Sequence, residues 1–169
     1  MKNILLPTDF SANAWNAIRY AIQLYRNKPC TFYLLNTFTP AIVHSRFMAA
    51  SAQGGMLEHN VRSQSENGLR DLVEQINTEC KYPNHRFETI SSFSLLTDEI
   101  RDLVDSADIN LIVTGTKGAS GFDEVFMGSN TVRIIKAVYK CPVLVIPENF
   151  EYVKPSRIAF ATNFKRNFS

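Results

Sequence analysis

The sequence predicts an α/β fold, a parallel β-sheet with helices on both faces, and three observations support this prediction. Five short apolar runs are separated by segments whose apolar residues recur at helical spacing, which gives the order βαβαβαβαβ. Apart from residues 86–92, where Phe87 and Ile90 alternate weakly with polar residues, these runs are continuously apolar, which is typical of strands buried on both faces. The chain has 169 residues, 45% of them hydrophobic and 20% charged, and this is the composition of one globular domain.

The first strand is predicted at residues 3–6 and ends at Pro7. A helix follows, with Asp9 or Ser11 as its N-cap. Its apolar residues share one helical face: Ala14, Ile18, Ala21, Ile22 and Tyr25. Residues 31–38 are rich in aromatic and apolar side chains and predict the second strand.

The remaining elements continue the alternation after a long connection at residues 39–55. We expect a helix at 56–81, a strand at 86–92, a helix capped by Thr97 or Asp98, a strand at 111–113 that ends at Thr114 and Gly115, a helix at 129–139 and a strand at 143–146. The last helix is expected to bury Val132, Ile135 and Val138.

Charge and hydropathy exclude several function classes. The net charge is +2, with 18 basic and 16 acidic side chains and no basic cluster, so we expect no nucleic-acid partner. No apolar run is long enough for a membrane span or a signal peptide. Three widely spaced cysteines predict neither a disulfide framework nor a zinc site, and the expected compartment is the cytoplasm. Anionic small molecules remain possible, because backbone N–H groups can bind them.

Two strand ends carry the residues that could bind such a ligand. In open parallel sheets the ligand lies beyond the carboxyl ends of the strands, where the strand order reverses. The first strand ends at Thr8 and Asp9, and the fourth leads through Gly115 and Gly118 to Gly128, at the start of a helix. The pattern is neither the G-x-x-x-x-G-K-[ST] phosphate loop nor the G-x-G-x-x-G dinucleotide motif. Taken alone, these glycines fit turn and cap positions equally well.

The glycine spacing resembles that of the universal stress protein family. Gly115, Gly118, Gly128 and Ser129 match its G-x-x-G-x9-G-[ST] signature, and residues 4–11 and 140–147 resemble its first and last strands. The resemblance covers residues 1–149. It implies a Rossmann-like, five-stranded sheet in the order 3-2-1-4-5, and binding of ATP or a related adenine nucleotide such as AMP.

The resemblance also implies the role of each site residue. Gly115, Gly118, Gly128, Ser129 and Asn130 would surround the phosphates. Pro7, Thr8, Thr37 and Thr114 would line the rest of the pocket, Thr37 through its backbone. Asp9 would hold the ribose hydroxyls or approach a phosphate-bound Mg²⁺, and its alternative role is that of a helix N-cap. Lys117 could approach a terminal phosphate, but a solvated loop lysine is the interpretation we favour.

These observations lead us to expect a nucleotide-binding stress-response protein that acts through partner contacts. One alternative is a nucleotide-independent dimerisation module of the same fold. A second is a slow ATP hydrolase, but the sequence places no general base, cationic finger or other catalytic residue. The histidines, His44, His59 and His85, are expected at the surface, and Trp15 and Cys141 in the packing.

The end of the chain predicts a second repeat and a mode of assembly. Residues 156–164 repeat the pattern of residues 2–10, which divides the chain into a domain at 1–149, a linker at 150–155 and the first strand of a truncated repeat at 156–169. The fifth strand is apolar and should lie at a sheet edge, which favours a homodimer through that edge. A strand at 157–161 would dock onto the partner subunit or stay mobile.

Overall fold

Five parallel strands form one sheet in the computed structural model, which describes residues 1–38, 54–80, 82–116 and 127–159. The strands are β1 (Lys2–Pro7), β2 (Cys30–Thr37), β3 (His85–Ser92), β4 (Leu111–Gly115) and β5 (Val143–Ile146). The helices are α1 (Ala12–Leu24), α2 (Gly54–Glu79), α3 (Leu96–Ser106) and α4 (Ser129–Ala137). The strand order is β3-β2-β1-β4-β5 and every pairing is parallel, so the predicted fold class and order are confirmed.

Two hydrophobic clusters, one on each face of the sheet, explain the uninterrupted apolar runs of the central strands. Side chains of a strand alternate between faces. Ile4 and Leu6 of β1 therefore pack in the cluster that includes α1 and α2 residues, whereas Leu5 packs in the cluster that includes α3 and α4 residues. In β2, Leu34 and Leu35 divide in the same way. A central strand with helices on both faces buries every one of these side chains.

The strand order reverses at β1, and this places the carboxyl ends of β1 and β4 side by side. From β1 the chain adds β2 and β3 on one side, then returns to add β4 and β5 on the other. Ile4 and Leu5 pair with Leu111 and Ile112 of β4, while residues of the same strand pair with β2. A crevice forms where strand connections diverge in this way.

The ends of the helices differ from the sequence expectations in several places. Ser11 is the N-cap of α1, one of the two predicted caps, and its Oγ accepts from the N–H of Ala14 at 3.2 Å. Helix α2 begins at Gly54 and ends at Glu79, two residues earlier than predicted at each end. The predicted caps of α3, Thr97 and Asp98, are wrong, because both lie inside a helix that begins at Leu96.

Helix α4 buries Val138 as predicted, but the rest of its buried face differs from the prediction. Ile135 is 40% exposed, whereas Ile134 is 1% exposed and packs with Val138 in the core. The predicted stripe repeated every third residue and therefore drifts around a helix of 3.6 residues per turn. The buried face follows the spacing of three and then four instead: Thr131, Ile134 and Val138. The helix ends at Ala137 rather than 139, since Val138 is extended.

One histidine is not the surface residue that the sequence suggested. His85 is half-buried, its ring contacts Phe32 and Phe87, and its Nε2 donates to the carbonyl of Tyr25 at 3.1 Å. Phe87 of the same strand and Phe32 of the neighbouring strand β2 partly cover it. His59 is exposed as predicted, and His44 lies outside the described residues.

The segment after β5 is attached to α1. The side-chain amide of Asn16 donates to the carbonyls of Pro147 and Phe150, and the ring of Tyr20 contacts those of Phe150 and Tyr152. Residues 151–159 form neither helix nor strand, and Ile158 is 94% exposed. Residues 160–169 lie outside the described part, so the second repeat and the domain division stay predictions. None of the described helices is long and apolar enough to cross a membrane.

The contrast between two neighbouring isoleucines of α4 gives a stability prediction. Ile134→Ala removes a buried side chain and should lower the free energy of unfolding by about 2–5 kcal/mol. Ile135→Ala changes an exposed side chain and should cost less than about 1 kcal/mol. Urea denaturation of both variants measures the difference, and equal costs would contradict the assigned face of α4.

Candidate functional site

A cavity of about 300 Å³ lies at the carboxyl ends of the strands, where the strand order reverses. It is open to solvent between the end of β1, the end of β4 and the amino terminus of α4. Its lining comprises Pro7, Thr8, Asp9, Ala14, Asn36, Thr37, Leu96, Thr114, Gly115, Gly128, Ser129, Asn130, Thr131 and Ile134. This position and size are typical of a small-molecule site in a doubly wound sheet.

The β1 side of the cavity is fixed by hydrogen bonds to Thr8. Its N–H donates to the carbonyl of Leu35 at 2.8 Å, which extends the pairing with β2 by one residue. Its carbonyl accepts from the Asn36 side-chain amide at 2.7 Å, and its Oγ1 accepts from the N–H of Phe10 at 3.0 Å. Thr8 is 8% exposed, so these bonds satisfy polar groups that water reaches poorly.

Asp9 follows directly and places an exposed carboxylate at the rim of the cavity. One carboxylate oxygen accepts from the N–H of Ser11 at 3.1 Å. Asp9 therefore stabilises the turn into α1, although Ser11 rather than Asp9 is the N-cap. The turn holds the backbone of Asp9 in place beside the cavity. A carboxylate that binds a ligand needs such a fixed position.

The opposite side of the cavity is the amino terminus of α4. Its N-cap is Gly128, which has no side chain to cap the helix, and the N–H of Gly128 donates to the carbonyl of Thr116. The first bond of the helix runs from the N–H of Val132 to the carbonyl of Gly128 at 3.1 Å. The N–H groups of Ser129, Asn130 and Thr131 precede it and belong to the helix end, where the dipole is positive.

Gly115 allows α1 to lie close to the end of β4. A Cβ atom at this position would be 2.6 Å from the side-chain nitrogen of Asn13, which is buried in α1. The carbonyl of Gly115 accepts from Thr131 Oγ1 at 2.8 Å. Close packing against Asn13 therefore requires a glycine at position 115. Its carbonyl also connects β4 to α4 by the hydrogen bond from Thr131. The proton of the Thr131 hydroxyl is therefore used in a hydrogen bond within the protein.

Nine of the ten predicted site residues line this one cavity. Gly118 is the tenth, and it lies outside the described residues, as does Lys117. Their contacts with a nucleotide, and any contact of Asp9 with Mg²⁺, stay predictions. Among the described residues, no group of three or more His, Cys, Asp or Glu side chains could hold a metal ion by itself.

Sequence reasoning missed five residues of the lining as site residues: Ala14, Asn36, Leu96, Thr131 and Ile134. Asn36 precedes Thr37 at the end of β2, so the rule that directed attention to strand ends could have included it. Leu96 and Ile134 carry no local signal, because helix packing alone brings these apolar side chains to the cavity.

The three cysteines described in the structure are buried away from this cavity. Burial raises the pKa of the thiols of Cys30, Cys80 and Cys141 above the ordinary value. A raised thiol pKa keeps the sulfur protonated near neutral pH, and the thiolate is the reactive form. The cysteines therefore serve the packing, as predicted for Cys141.

Comparison with known protein families agrees with this geometry. The sequence model of the universal stress protein family matches residues 1–147, which is most of the chain. The chain belongs to the universal stress protein family. The cavity is lined by three residues of the glycine signature on which the resemblance to this family was based: Gly115, Gly128 and Ser129.

Individual relatives have low sequence identity but match nearly the whole domain. Universal stress protein MJ0531 of Methanocaldococcus jannaschii is 26% identical over 147 residues, which cover 86% of this chain and 81% of that protein. Universal stress protein A homolog 1 of Coxiella burnetii is 27% identical over 153 residues, covering 86% and 95%.

Solved structures show the same fold. The structure of protein MJ0577 has a TM-score of 0.72 at 21% identity and covers 89% of this chain and 98% of that one. A universal stress protein in complex with cAMP has a TM-score of 0.53 at 17% identity, with 86% and 96% covered. At these identities the similarity establishes the fold.

The contact between Gly115 and Asn13 predicts a coupled effect on stability. Gly115→Ala should lower the free energy of unfolding by about 1–3 kcal/mol, because the new methyl group overlaps the buried amide. In an Asn13→Ala background the same change should cost at least about 0.5 kcal/mol less. A double-mutant cycle by urea denaturation measures this coupling, and additive costs would contradict the close contact.

Proposed function

We propose that this universal stress protein binds an adenine nucleotide, ATP or AMP, in the cavity between β1 and α4. The observation that carries the proposal is the pairing of a helix amino terminus with a carboxylate across one cavity. Backbone N–H groups at a helix start bind phosphate, and a carboxylate accepts hydrogen bonds from ribose hydroxyls. The two ends of a nucleotide therefore have complementary groups in one cavity.

The charge of the site supports a definite orientation. Asp9 is the one charged side chain among the described residues of the lining, and it would repel a phosphate group unless a cation lay between them. The ribose is thus the better partner for Asp9, and the phosphates belong at Ser129 and Asn130. A phosphate-bound Mg²⁺ would also allow Asp9 to lie near the phosphates, and Mg²⁺ is the cation we propose to bind together with ATP.

The base would occupy the less polar part of the cavity. Leu96 and Ile134 provide apolar surface there, and Thr37 at the end of β2 offers backbone groups for the adenine edge. A family member of the same fold was solved with cAMP, which is an adenine nucleotide. That complex supports adenine as the base without fixing the number of phosphates.

Binding rather than turnover is the activity we propose. The described lining contains no lysine, arginine or histidine that could stabilise a transferring phosphoryl group. Backbone N–H groups that bind the ground state and the transition state equally do not accelerate a reaction. We propose a cytoplasmic stress-response protein that signals or protects through partner contacts.

The first partner we propose is a second copy of the chain. Strand β5 is at the edge of the sheet, pairs with β4 alone among the described strands and is composed of Val143, Leu144, Val145 and Ile146. After it, Phe150, Val153 and Ile158 are exposed. An apolar edge followed by exposed apolar side chains favours pairing with another chain, in a two-fold homodimer.

A substitution at the helix start tests nucleotide binding. Gly128→Val would place a branched side chain at the wall of the cavity, and we expect the affinity for ATP to fall at least about tenfold, which corresponds to about 1.4 kcal/mol. Ile135→Val, on an exposed position of the same helix, is the control. Titration calorimetry on folded proteins measures both.

Two results would contradict the proposal. If the unaltered protein binds neither ATP nor AMP, the chain is a nucleotide-independent module of the same fold. If it binds ATP and Gly128→Val leaves the affinity unchanged, the nucleotide occupies another place.

The homodimer is tested separately. Light scattering at micromolar concentration should give twice the chain mass of 19.1 kDa. Val145→Lys adds a charge to the edge strand and should give the monomer mass, whereas Ile135→Lys on α4 should leave the dimer intact. A monomeric mass for the unaltered chain would refute the proposed assembly.

A further inference from the structure

Phe10, directly after Asp9, has a backbone conformation that its side chain disfavours. Its φ is +62°, in the left-handed region that bulky residues rarely adopt. Such conformations persist only where surrounding contacts maintain them, and they are common at functional sites. Phe10 does not line the nucleotide cavity, so contact with a ligand in that cavity does not account for its conformation.

The ring of Phe10 lies against a glycine in the middle of α2. A Cβ atom at Gly68 would lie 2.7 Å from Cζ and 2.8 Å from Cε2 of Phe10, closer than real side chains approach. The ring of Phe10 therefore occupies the space that a side chain at position 68 would need. Glycine inside a helix is less stable than alanine, and a positive φ is unfavourable for phenylalanine. Both residues are therefore locally unfavourable, and the missing side chain of Gly68 makes room for the ring of Phe10.

Hydrogen bonds connect this contact to the nucleotide cavity. The N–H of Phe10 donates to Oγ1 of Thr8, and the N–H of the next residue, Ser11, donates to the carboxylate of Asp9. Thr8 and Asp9 both line the cavity. The torsions of Phe10 therefore set where the N–H of Ser11 points, and with it how the Asp9 carboxylate is held.

The ring also has space into which it can move. A second cavity of about 210 Å³ lies beside it, lined by Phe10, Trp15, Gly68 and Gln75 among others. A side chain at position 68 could thus displace the ring toward this space without disrupting the two hydrophobic clusters. The expected result is a folded protein with an altered turn.

We propose that Phe10 is a positioning residue: its ring, packed on Gly68, holds Thr8 and Asp9 in the geometry that binds the nucleotide. This inference rests on the proposed function, because the role is defined by nucleotide affinity. Gly68 lines no part of the nucleotide cavity. According to this proposal, a substitution at Gly68 nevertheless changes the affinity for the nucleotide.

The experiment compares Gly68→Ala in two backgrounds, the unaltered chain and Phe10→Ala. In the unaltered chain, Gly68→Ala should weaken ATP binding at least about threefold, measured calorimetrically well below the unfolding temperature. With Phe10→Ala present, affinity is already reduced, and Gly68→Ala should change it by less than about 1.5-fold. Gln64→Ala, at an exposed position of α2, is the control and should leave affinity unchanged.

Thermal unfolding provides a readout that does not depend on nucleotide. In the Phe10→Ala background the methyl group at position 68 meets no ring, so Gly68→Ala should raise Tm by about 2–4 °C, as alanine does in a helix. In the unaltered chain the same substitution should lower Tm or leave it unchanged. A rise of the same size in both backgrounds would refute the contact itself.

The failure of this inference differs from the failure of the proposed function. If the unaltered chain binds no ATP or AMP, the proposed function fails and the positioning role fails with it, while the Tm values still report on the contact. If the unaltered chain binds ATP and Gly68→Ala behaves like Gln64→Ala in affinity, the positioning role alone is refuted. An Asp9→Ala background provides a final check. If Gly68→Ala lowers the ATP affinity threefold there as well, the effect does not pass through Asp9 and that part of the positioning role is refuted.

Discussion

The hydrogen bonding of Thr8 is the constraint on which the rest of the site depends. Its N–H continues the pairing of β1 with β2, its carbonyl receives the amide of Asn36, and its hydroxyl receives the N–H of Phe10. One buried residue therefore ends the strand, aligns the neighbouring strand end and begins the turn into α1. Because its three polar groups each have a partner, any movement of the turn would break a buried hydrogen bond, and that is costly.

The second half of the site depends on backbone groups rather than charged side chains. The amino terminus of α4 carries a partial positive charge, and its first N–H groups lie beside the cavity. A chain with a net charge of only +2 can therefore bind an anion without a basic patch. The absence of a side chain at Gly128 leaves this helix end uncovered, which explains why the N-cap is not the Ser, Thr or Asp that stability alone would favour.

Sequence analysis predicts the parts of this molecule that depend on local pattern. The apolar strands, the helix N-cap Ser11 and the residues at the ends of β1 and β4 all follow from short-range rules, and the family resemblance added the strand order. The errors concern the ends of helices, such as the wrongly predicted caps Thr97 and Asp98, and packing. Ile135 was expected inside because residues three apart resemble a helical stripe, whereas the sheet contacts the face of Ile134. Leu96 and the contact between Phe10 and Gly68 join segments far apart in sequence, and no local pattern reports such contacts.

Helix α1 joins the two halves of the site into one unit. Its N-cap follows the turn that holds Asp9, and two residues later its Asn13 lies against Gly115 at the end of β4. Further along, Asn16 donates to the backbone that follows β5. One helix thus contacts the β1 turn through the backbone of its N-cap, the β4 end through Asn13 and the segment beyond the edge strand through Asn16. Helix α1 is therefore the described element that contacts both sides of the candidate site and the segment that leads away from the edge strand β5.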